Sequence, residues 1–137
     1  MKKKQIITSD APGAIGPYSQ GIAAGDLIFV SGQIPADPSD GSFPEGIEKQ
    51  TERALLNVKA VLESAGSGLS GVVKTTVLLK NMDDFAAMNS VYETFFGEPC
   101  PARAAYEVVR LPKDAMVEIE AIAVKTKKNR KEDKKKK

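Results

Sequence analysis

The chain has 137 residues, no histidine and a single cysteine, Cys100. This length allows one domain with its own hydrophobic core, and the composition excludes histidine-based acid–base catalysis, Ser-His-Asp and Cys-His nucleophiles, internal disulfides and cysteine-rich zinc sites. We also expect no metal and no cofactor. The net charge is +2, but basic residues at both ends leave residues 5–124 with a charge of −8, which disfavours a phosphate-binding surface on the body of the protein.

The first half of the chain predicts strands followed by a helix. Residues 16–35, GPYSQGIAAGDLIFVSGQIP, alternate and then concentrate apolar positions, with a turn at Gly25-Asp26. A loop rich in proline and glycine follows. From Ile47 to Ala65 apolar residues recur at helical spacing, and Gly66 stands where a helix C-terminus favours a residue that adopts positive φ.

The second half predicts a strand and a second helix before the chain returns to strands. The short apolar run VVKTTVLLK, Val72–Lys80, is typical of a buried strand. A helical stripe of apolar residues runs from Asn81 to Phe96, with Asn81 or Asp83 available to cap its start and Gly97 to end it.

Two final strands are predicted at Ala104–Leu111 and Met116–Lys125, separated by PKDA. The element order predicts an α+β domain with both helices on one face of a mixed sheet. Alternation along the last strand separates a wholly apolar side from a side that mixes carboxylates with large apolar residues, namely Glu118, Glu120, Ile122 and Val124. Such a mixed face indicates an oligomer interface that contains a cleft.

The C-terminal end is strongly basic. Residues 125–137 carry nine Lys or Arg against two acidic residues, so we expect residues 127–137 to form a solvated, disordered tail beyond a domain of residues 1–126. The tail either serves solubility or contacts RNA. No apolar run reaches the length of a membrane span and residues 1–10 lack a signal-peptide core, so we expect a cytoplasmic protein that does not bind membranes.

The segment CPARAAYEVV, residues 100–109, puts a lone arginine at the start of a strand. The guanidinium of Arg103 keeps its charge and has five N–H donors to satisfy, yet no acidic residue stands next to it. We therefore expect Arg103 either to bind an anionic ligand or to pair across a subunit seam.

Four segments together resemble the Rid family, also called YjgF or L-PSP, whose members are reactive intermediate imine deaminases. They cover nearly the whole chain short of the tail and read APGAIGPYSQGI, FVSGQIP, VVKTTVLLKNMDDFAAMNSVYETFF and PARAAYEVVRLPKDAMVEIEAIAV. The resemblance implies a chorismate-mutase-like fold and a homotrimer with a central barrel and three clefts between subunits. It also implies hydrolysis of 2-imino acids, which pyridoxal-phosphate enzymes release from serine and threonine, to 2-oxo acids and ammonia.

The resemblance assigns the chemistry to two charged residues. Arg103, helped by the backbone N–H of Ala105, would hold the substrate carboxylate, since a planar guanidinium fork matches a carboxylate. The residue pattern alone leaves Glu118 and Glu120 equal as the group that activates water. The resemblance assigns that role to Glu120, with an interface ion pair as the alternative, and Glu118 is then a solvated or interface charge.

Three further residues are implied at the cleft, each with a structural alternative. Tyr18 would close over the substrate and donate its hydroxyl, or else lie in the core. Asn89 would line the cleft, or else form a helix-to-sheet hydrogen bond. Gly32 would let the substrate approach the backbone, or else be a strand glycine next to a bulge.

Two departures from the family pattern and two alternative functions complete the prediction. Some members have cysteine at the position of Ala105, and an aromatic residue often stands at the position of Cys100, so the thiol is dispensable and the cleft rim is altered. Members of the family have also been described as endoribonucleases or translation inhibitors. A trimer that binds ligands or acts as a chaperone without turnover is the other alternative.

If the last two strands pair directly, Glu107 lies opposite Glu120 on a face shared with Arg103.

Overall fold

The structure is a computed structural model that describes residues 2–126, and it shows a six-stranded mixed sheet with both α-helices on one face. The predicted α+β class is confirmed. The predicted tail at 127–137 lies outside the described residues. The strands are β1 (Lys3–Ile6), β2 (Gly21–Ala24), β3 (Leu27–Gln33), β4 (Val72–Leu79), β5 (Ala102–Glu107) and β6 (Val117–Val124), and the helices are α1 (Ile47–Ser64) and α2 (Phe85–Tyr92).

The strand order is β1-β2-β3-β6-β4-β5, so the last of the described strands occupies the middle of the sheet. Every neighbouring pair is antiparallel except β4 and β5, which are parallel and are joined through α2. The predicted strands at residues 104–111 and 116–125 therefore do not pair with each other. Thr76 of β4, and not Glu107, lies opposite Glu120.

The core lies between α1 and the centre of the sheet. The predicted apolar stripe of α1 is buried, and so is the predicted apolar side of β6, which α1 contacts. Fully burying a Val, Leu or Ile side chain contributes about 1.5–3 kcal/mol, so this contact stabilises the fold more than any surface pair does. The buried side chains are Ala54, Leu55, Val58, Val61 and Leu62 of α1 and Val117, Ile119, Ala121 and Ala123 of β6.

Local chemistry determines where α1 ends and where α2 begins and ends. Gly66 adopts φ 81° one residue beyond the C-cap of α1, as the sequence predicts. The side chain of Asn81 accepts a hydrogen bond from the backbone N–H of Asp83, at 2.9 Å, and begins a 3-10 turn that precedes α2. α2 ends at Tyr92 and not at Phe96, because the backbone N–H groups of Thr94 and Phe95 bond three residues back and tighten the chain.

The segment between β5 and β6 is a compact turn. β5 ends at Glu107 and not at Leu111, and a 3-10 turn at Pro112–Asp114 reverses the chain. Lys113 and Asp114 both have positive φ, 53° and 58°, and Asp114 pairs with Lys80 at 2.9 Å. Within the described residues, no helix has the length and apolar character that crossing a membrane requires.

Candidate functional site

Arg103 lies on edge strand β5, on the face of the sheet that the helices cover. It pairs with Thr75 of β4, which is buried on that face. The guanidinium carbon of Arg103 stands 4.7 Å from the ring centroid of Tyr92 and 5.4 Å from that of Phe85. Its Nη1 donates a hydrogen bond of 2.6 Å to Oδ1 of Asn89.

These contacts leave the positive charge of Arg103 without a negative partner. Among residues 2–126, no carboxylate lies within salt-bridge distance of the guanidinium, and the side chain is exposed to solvent. An amide oxygen and two aromatic faces orient a cation without neutralising it. The arrangement is therefore able to receive an anion from outside.

Asn89 and Ala105 accompany Arg103 on this edge. Of the two alternatives for Asn89, the structure shows the helix-to-sheet hydrogen bond, since its amide oxygen accepts from Arg103. Ala105 is half-buried, pairs with Val77 and lies two residues beyond Arg103 on the same side of β5. Substrate binding by the Asn89 side chain and by the backbone N–H of Ala105 stays a prediction.

The carboxylates lie on the opposite face of the sheet. Glu120 pairs with Thr76, whose side chain points away from the helices, whereas its neighbour Thr75 points towards them. Arg103 therefore does not share a face with Glu118 and Glu120, and the sheet separates the predicted acid–base group from the predicted anion site within one chain.

Glu118 is half-buried, which excludes the fully solvated alternative for it, and the interface alternative stays a prediction. It packs on Gly32, where a Cβ atom would stand 2.8 Å from Oε1 of the glutamate. The other oxygen, Oε2, is buried and has no hydrogen-bond partner. Burial, and next the charge of Glu120, raise the pKa of the Glu118 carboxyl above its usual value.

Glu120 occupies a more open position on the same face. It is exposed and lines a cavity of about 390 Å³ together with Ser31, Lys74 and Thr76 and with the apolar side chains of Ile22 and Phe29. Both Glu118 and Glu120 therefore border the helix-free face, but only Glu118 has an oxygen that is withdrawn from solvent and left unpaired.

Tyr18 and Gly32 line a second cavity of about 530 Å³. Tyr18 is 52% exposed, which rules out the core position for it within this chain, and its hydroxyl accepts a weak hydrogen bond from the backbone N–H of Ile15 at 3.4 Å. Gly32 lies at the bulge between Val30 and Gln33, as its structural alternative describes, and close approach of a substrate to its backbone stays a prediction. The absence of a side chain at Gly32 makes the room that the Glu118 carboxylate occupies.

Sequence reasoning missed the aromatic contacts of Arg103. Phe85 and Tyr92 belong to the apolar stripe of α2, where a pattern predicts core packing and nothing more. Their contact with Arg103 depends on the parallel pairing of β4 with β5, which no local sequence pattern predicts. Cys100, predicted at the cleft rim, is exposed, and desolvation together with the Glu98 carboxylate raises the pKa of its thiol.

Comparison with known proteins places this geometry in a family. The model of the family described as Endoribonuclease L-PSP matches residues 8–125. A 2-iminobutanoate/2-iminopropanoate deaminase of Salmonella typhimurium is 50% identical over 125 residues, which cover 89% of this chain and 98% of the relative. A RutC family protein of Pyrococcus abyssi is 56% identical over 126 residues, which cover 91% of this chain and 99% of the relative.

Solved structures show the same fold. The chain is similar to Escherichia coli TdcF with bound serine, with a TM-score of 0.86 and 46% identity, over 90% of this chain and 99% of that one. It is equally similar to the YjgF gene product of Escherichia coli, with a TM-score of 0.86 and 50% identity, over 90% of this chain and 99% of that one.

Proposed function

Because the chain belongs to the Endoribonuclease L-PSP family, the Rid family recognised from its sequence, we propose that it hydrolyses 2-imino acids to 2-oxo acids and ammonia. Relatives with half of their residues identical are named 2-iminobutanoate/2-iminopropanoate deaminases. The observation that carries the proposal is the exposed guanidinium of Arg103, which is oriented by uncharged groups and has no carboxylate partner among residues 2–126.

Arg103 holds the substrate in this mechanism. A 2-imino acid carries its carboxylate next to the electrophilic C=N carbon, so fixing the carboxylate also fixes the reacting carbon. Asn89 occupies one N–H of the guanidinium, and the remaining N–H groups bind the carboxylate oxygens with help from the backbone N–H of Ala105. Tyr18 closes the opposite side of the substrate.

A carboxylate must then handle the attacking water. Water adds its oxygen to the C=N carbon, the imine nitrogen gains a proton, and the resulting carbinolamine loses ammonia to leave the 2-oxo acid. We assign the proton transfers to Glu118, because its unpaired Oε2 and raised pKa make it a stronger base than an ordinary glutamate. Glu120, the residue indicated by the family resemblance, is the alternative that mutagenesis decides.

The site is completed by a second copy of the chain. Arg103 faces the helix-covered side of the sheet and Glu118 the helix-free side, so one small substrate cannot contact both within a single chain. A homotrimer in which the helix-free faces form a central barrel, with the arginine edge of one copy beside the carboxylate face of the next, supplies both groups to each cleft.

The direct test is ammonia release from freshly generated 2-iminobutanoate. We expect the purified protein to accelerate release well above the spontaneous rate, and 2-iminopropanoate to react as well. Arg103→Ala protein is the matched control for contaminating activity. A wild-type trimer that binds a 2-oxo acid but does not accelerate hydrolysis supports instead a ligand-binding or chaperone-like protein without turnover.

Mixing inactive variants tests the shared site. If Arg103 and Glu118 of different copies act together, unfolding and refolding Arg103→Ala with Glu118→Gln protein restores about one quarter of the sites under random assembly. Each variant refolded alone stays inactive. Absence of recovery in confirmed mixed oligomers would overturn the shared site.

An endoribonuclease is the second candidate, and the description of the family model favours it. The same preparation is incubated with single-stranded RNA at several salt concentrations, with and without residues 127–137. Binding that disappears on deletion of these residues and weakens steeply with salt assigns RNA contact to the basic tail. Cleavage that survives the deletion supports the ribonuclease.

A cytoplasmic location also stays a prediction.

A further inference from the structure

The guanidinium of Arg103 rests on an aromatic surface that α2 provides. The Tyr92 ring lies closer than the Phe85 ring, at 4.7 Å against 5.4 Å. Both distances are within the range in which a cation is attracted by a ring face. Tyr92 is nearly buried, with 5% of its surface exposed, and stacks in a tilted arrangement on Phe96 at 4.6 Å. The ring beneath the arginine is therefore held in place.

The hydroxyl of Tyr92 fixes the ring to the sheet. It shares a buried hydrogen bond of 2.8 Å with the hydroxyl of Thr75. Thr75 is 1% exposed and is the residue of β4 that pairs with Arg103. One side chain thus links α2 to the strand position that neighbours the arginine, so any shift of α2 along β4 would move the ring away from the guanidinium.

We propose that Tyr92, anchored by Thr75, is a positioning residue that holds the Arg103 guanidinium in the orientation required for a substrate carboxylate. This inference rests on the proposed function of the same arginine. A free arginine side chain loses considerable rotamer freedom when it binds, and an arginine that is already oriented loses less. The aromatic surface therefore raises affinity without touching the substrate.

A neutral ring suits this task better than a carboxylate. A carboxylate in the position of Tyr92 would also orient the guanidinium but would compete with the substrate for it. Burial raises the pKa of the Tyr92 hydroxyl, so the phenol stays uncharged at neutral pH. Asn89 is likewise uncharged, and the full positive charge of Arg103 stays available to the ligand.

The experiment measures the dissociation constant of 2-oxobutanoate by calorimetry on the full-length chain, with KM and kcat for 2-iminobutanoate alongside. We expect Tyr92→Phe and Thr75→Val each to weaken binding and raise KM about threefold, with kcat changed less than twofold. Because both substitutions remove the same hydrogen bond, the double variant should also bind 2-oxobutanoate about threefold more weakly than wild type, and not about ninefold. Tyr92→Leu, which removes the ring, should weaken binding about tenfold.

Thr51→Val is the matched control. Thr51 is also buried and its hydroxyl donates a hydrogen bond of 2.8 Å, but it bonds within α1, to the carbonyl of Ile47. This control should lower the melting temperature about as much as Thr75→Val and leave the dissociation constant unchanged. Equal binding by wild type, Tyr92→Phe and Thr75→Val, with only the melting temperatures lowered, overturns the positioning role.

A second readout separates this inference from the proposed function. The Nε–H signal of Arg103 in ¹H–¹⁵N spectra of the ligand-free protein should show a ring-current shift and restricted motion, both reduced in Tyr92→Leu. If that signal is mobile in the wild type, the positioning role is overturned even when hydrolysis is confirmed. If wild-type protein binds no 2-oxo acid, the proposed function is overturned, and the order of the side chain alone decides whether Tyr92 positions Arg103.

Discussion

The arginine edge and the carboxylate face are built in opposite ways. Arg103 is exposed, yet an amide oxygen and two aromatic rings hold its guanidinium. Glu118 is half-buried, yet its inner oxygen has no partner. The positive charge of Arg103 is therefore oriented but not neutralised. The carboxylate of Glu118 is partly removed from water but receives no hydrogen bond at its inner oxygen.

In the proposed mechanism this difference suits the two charges to different tasks. Binding a carboxylate requires a cation of fixed direction, and the cost of fixing it is met by packing on α2. Transferring a proton requires a carboxylate whose charged form is not overstabilised, and partial burial on Gly32 provides that. In the proposed mechanism neither region is sufficient alone, so one substitution in either region should abolish turnover.

Arg103→Ala is expected to have the largest effect. Imine hydrolysis should fall below detection, by a factor of about 10³ or more, because the substrate loses its only charged anchor in the proposed site. Arg103→Lys should recover little, since a point charge on a flexible chain neither stacks on Tyr92 nor binds a carboxylate in a bidentate way. Wild-type turnover by a folded Arg103→Ala protein, measured as ammonia release, would remove the arginine from the mechanism.

Glu118→Gln tests the opposite side of the comparison. The amide keeps the shape of the side chain but not its basic oxygen, so kcat should fall by about 10²–10⁴ while the affinity for 2-oxobutanoate survives. Glu120→Gln is the matched control and should change kcat less than twofold. The reverse result, with Glu120→Gln inactive and Glu118→Gln active, restores the assignment implied by the family resemblance.

Gly32→Ala perturbs Glu118 without changing it. The added Cβ would stand 2.8 Å from Oε1 of Glu118, so the carboxylate must shift by several tenths of an ångström. We expect kcat to fall about tenfold with little change in 2-oxo acid affinity, since small displacements of a reacting group are costly. Gly68→Ala is the control, because its backbone is extended and the space around it is open. Equal kcat in both variants would show that the contact is irrelevant to turnover.

The smallest effect concerns stability and pH. Burial raises the pKa of Glu118 above its unfolded value, so the folded state holds this proton more tightly and gains stability only at low pH. That gain is lost as pH rises through the raised pKa, and the carboxylate then destabilises the protein. Glu118→Gln should therefore raise the melting temperature by about 2–4 °C at neutral pH.

Calorimetry across pH checks this prediction. The difference in melting temperature between Glu118→Gln and wild type should shrink towards zero below about pH 4, where both unfolded and folded glutamates are protonated. Wild-type turnover should decline on acidification as the Glu118 carboxylate gains its proton. A difference that is constant from pH 4 to pH 8 would show that the stability effect does not come from the charge.

Much of the fold was predictable because its signals are local. The stripe of α1, the glycine at its end and the alternation along β6 are each properties of consecutive residues, and the structure confirms them. Pairing is not local. The neighbours of β6 are β3 and β4, about 90 and 45 residues away along the chain. Nothing in the connecting segment PKDA indicates that β4 lies between β5 and β6 in the sheet.

The same limit applies to the site. Arg103 was identifiable because its guanidinium always carries a charge and no acidic residue stands next to it in the sequence. The distinction between Glu118 and Glu120 was not, since the two share a face and a residue type. The two residues differ because the Glu118 carboxylate packs in the space beside Gly32, at the bulge of β3, whereas Glu120 is exposed. The role of Tyr92 was not predictable either, because Tyr92 belongs to the apolar stripe of α2, and such a stripe predicts only core packing.

The central position of β6 has a consequence for biosynthesis. Of the described strands β6 is synthesised last, and it is the one that joins β3 to β4, so β1–β3 and β4–β5 stay unconnected until β6 docks between them. Each partial sheet ends in a row of unpaired backbone groups, which is the kind of edge that templates aggregation. The interval before β6 docks is therefore the one in which a chain that has made its other strands is most prone to aggregate, and the yield of folded protein depends on how fast β6 docks.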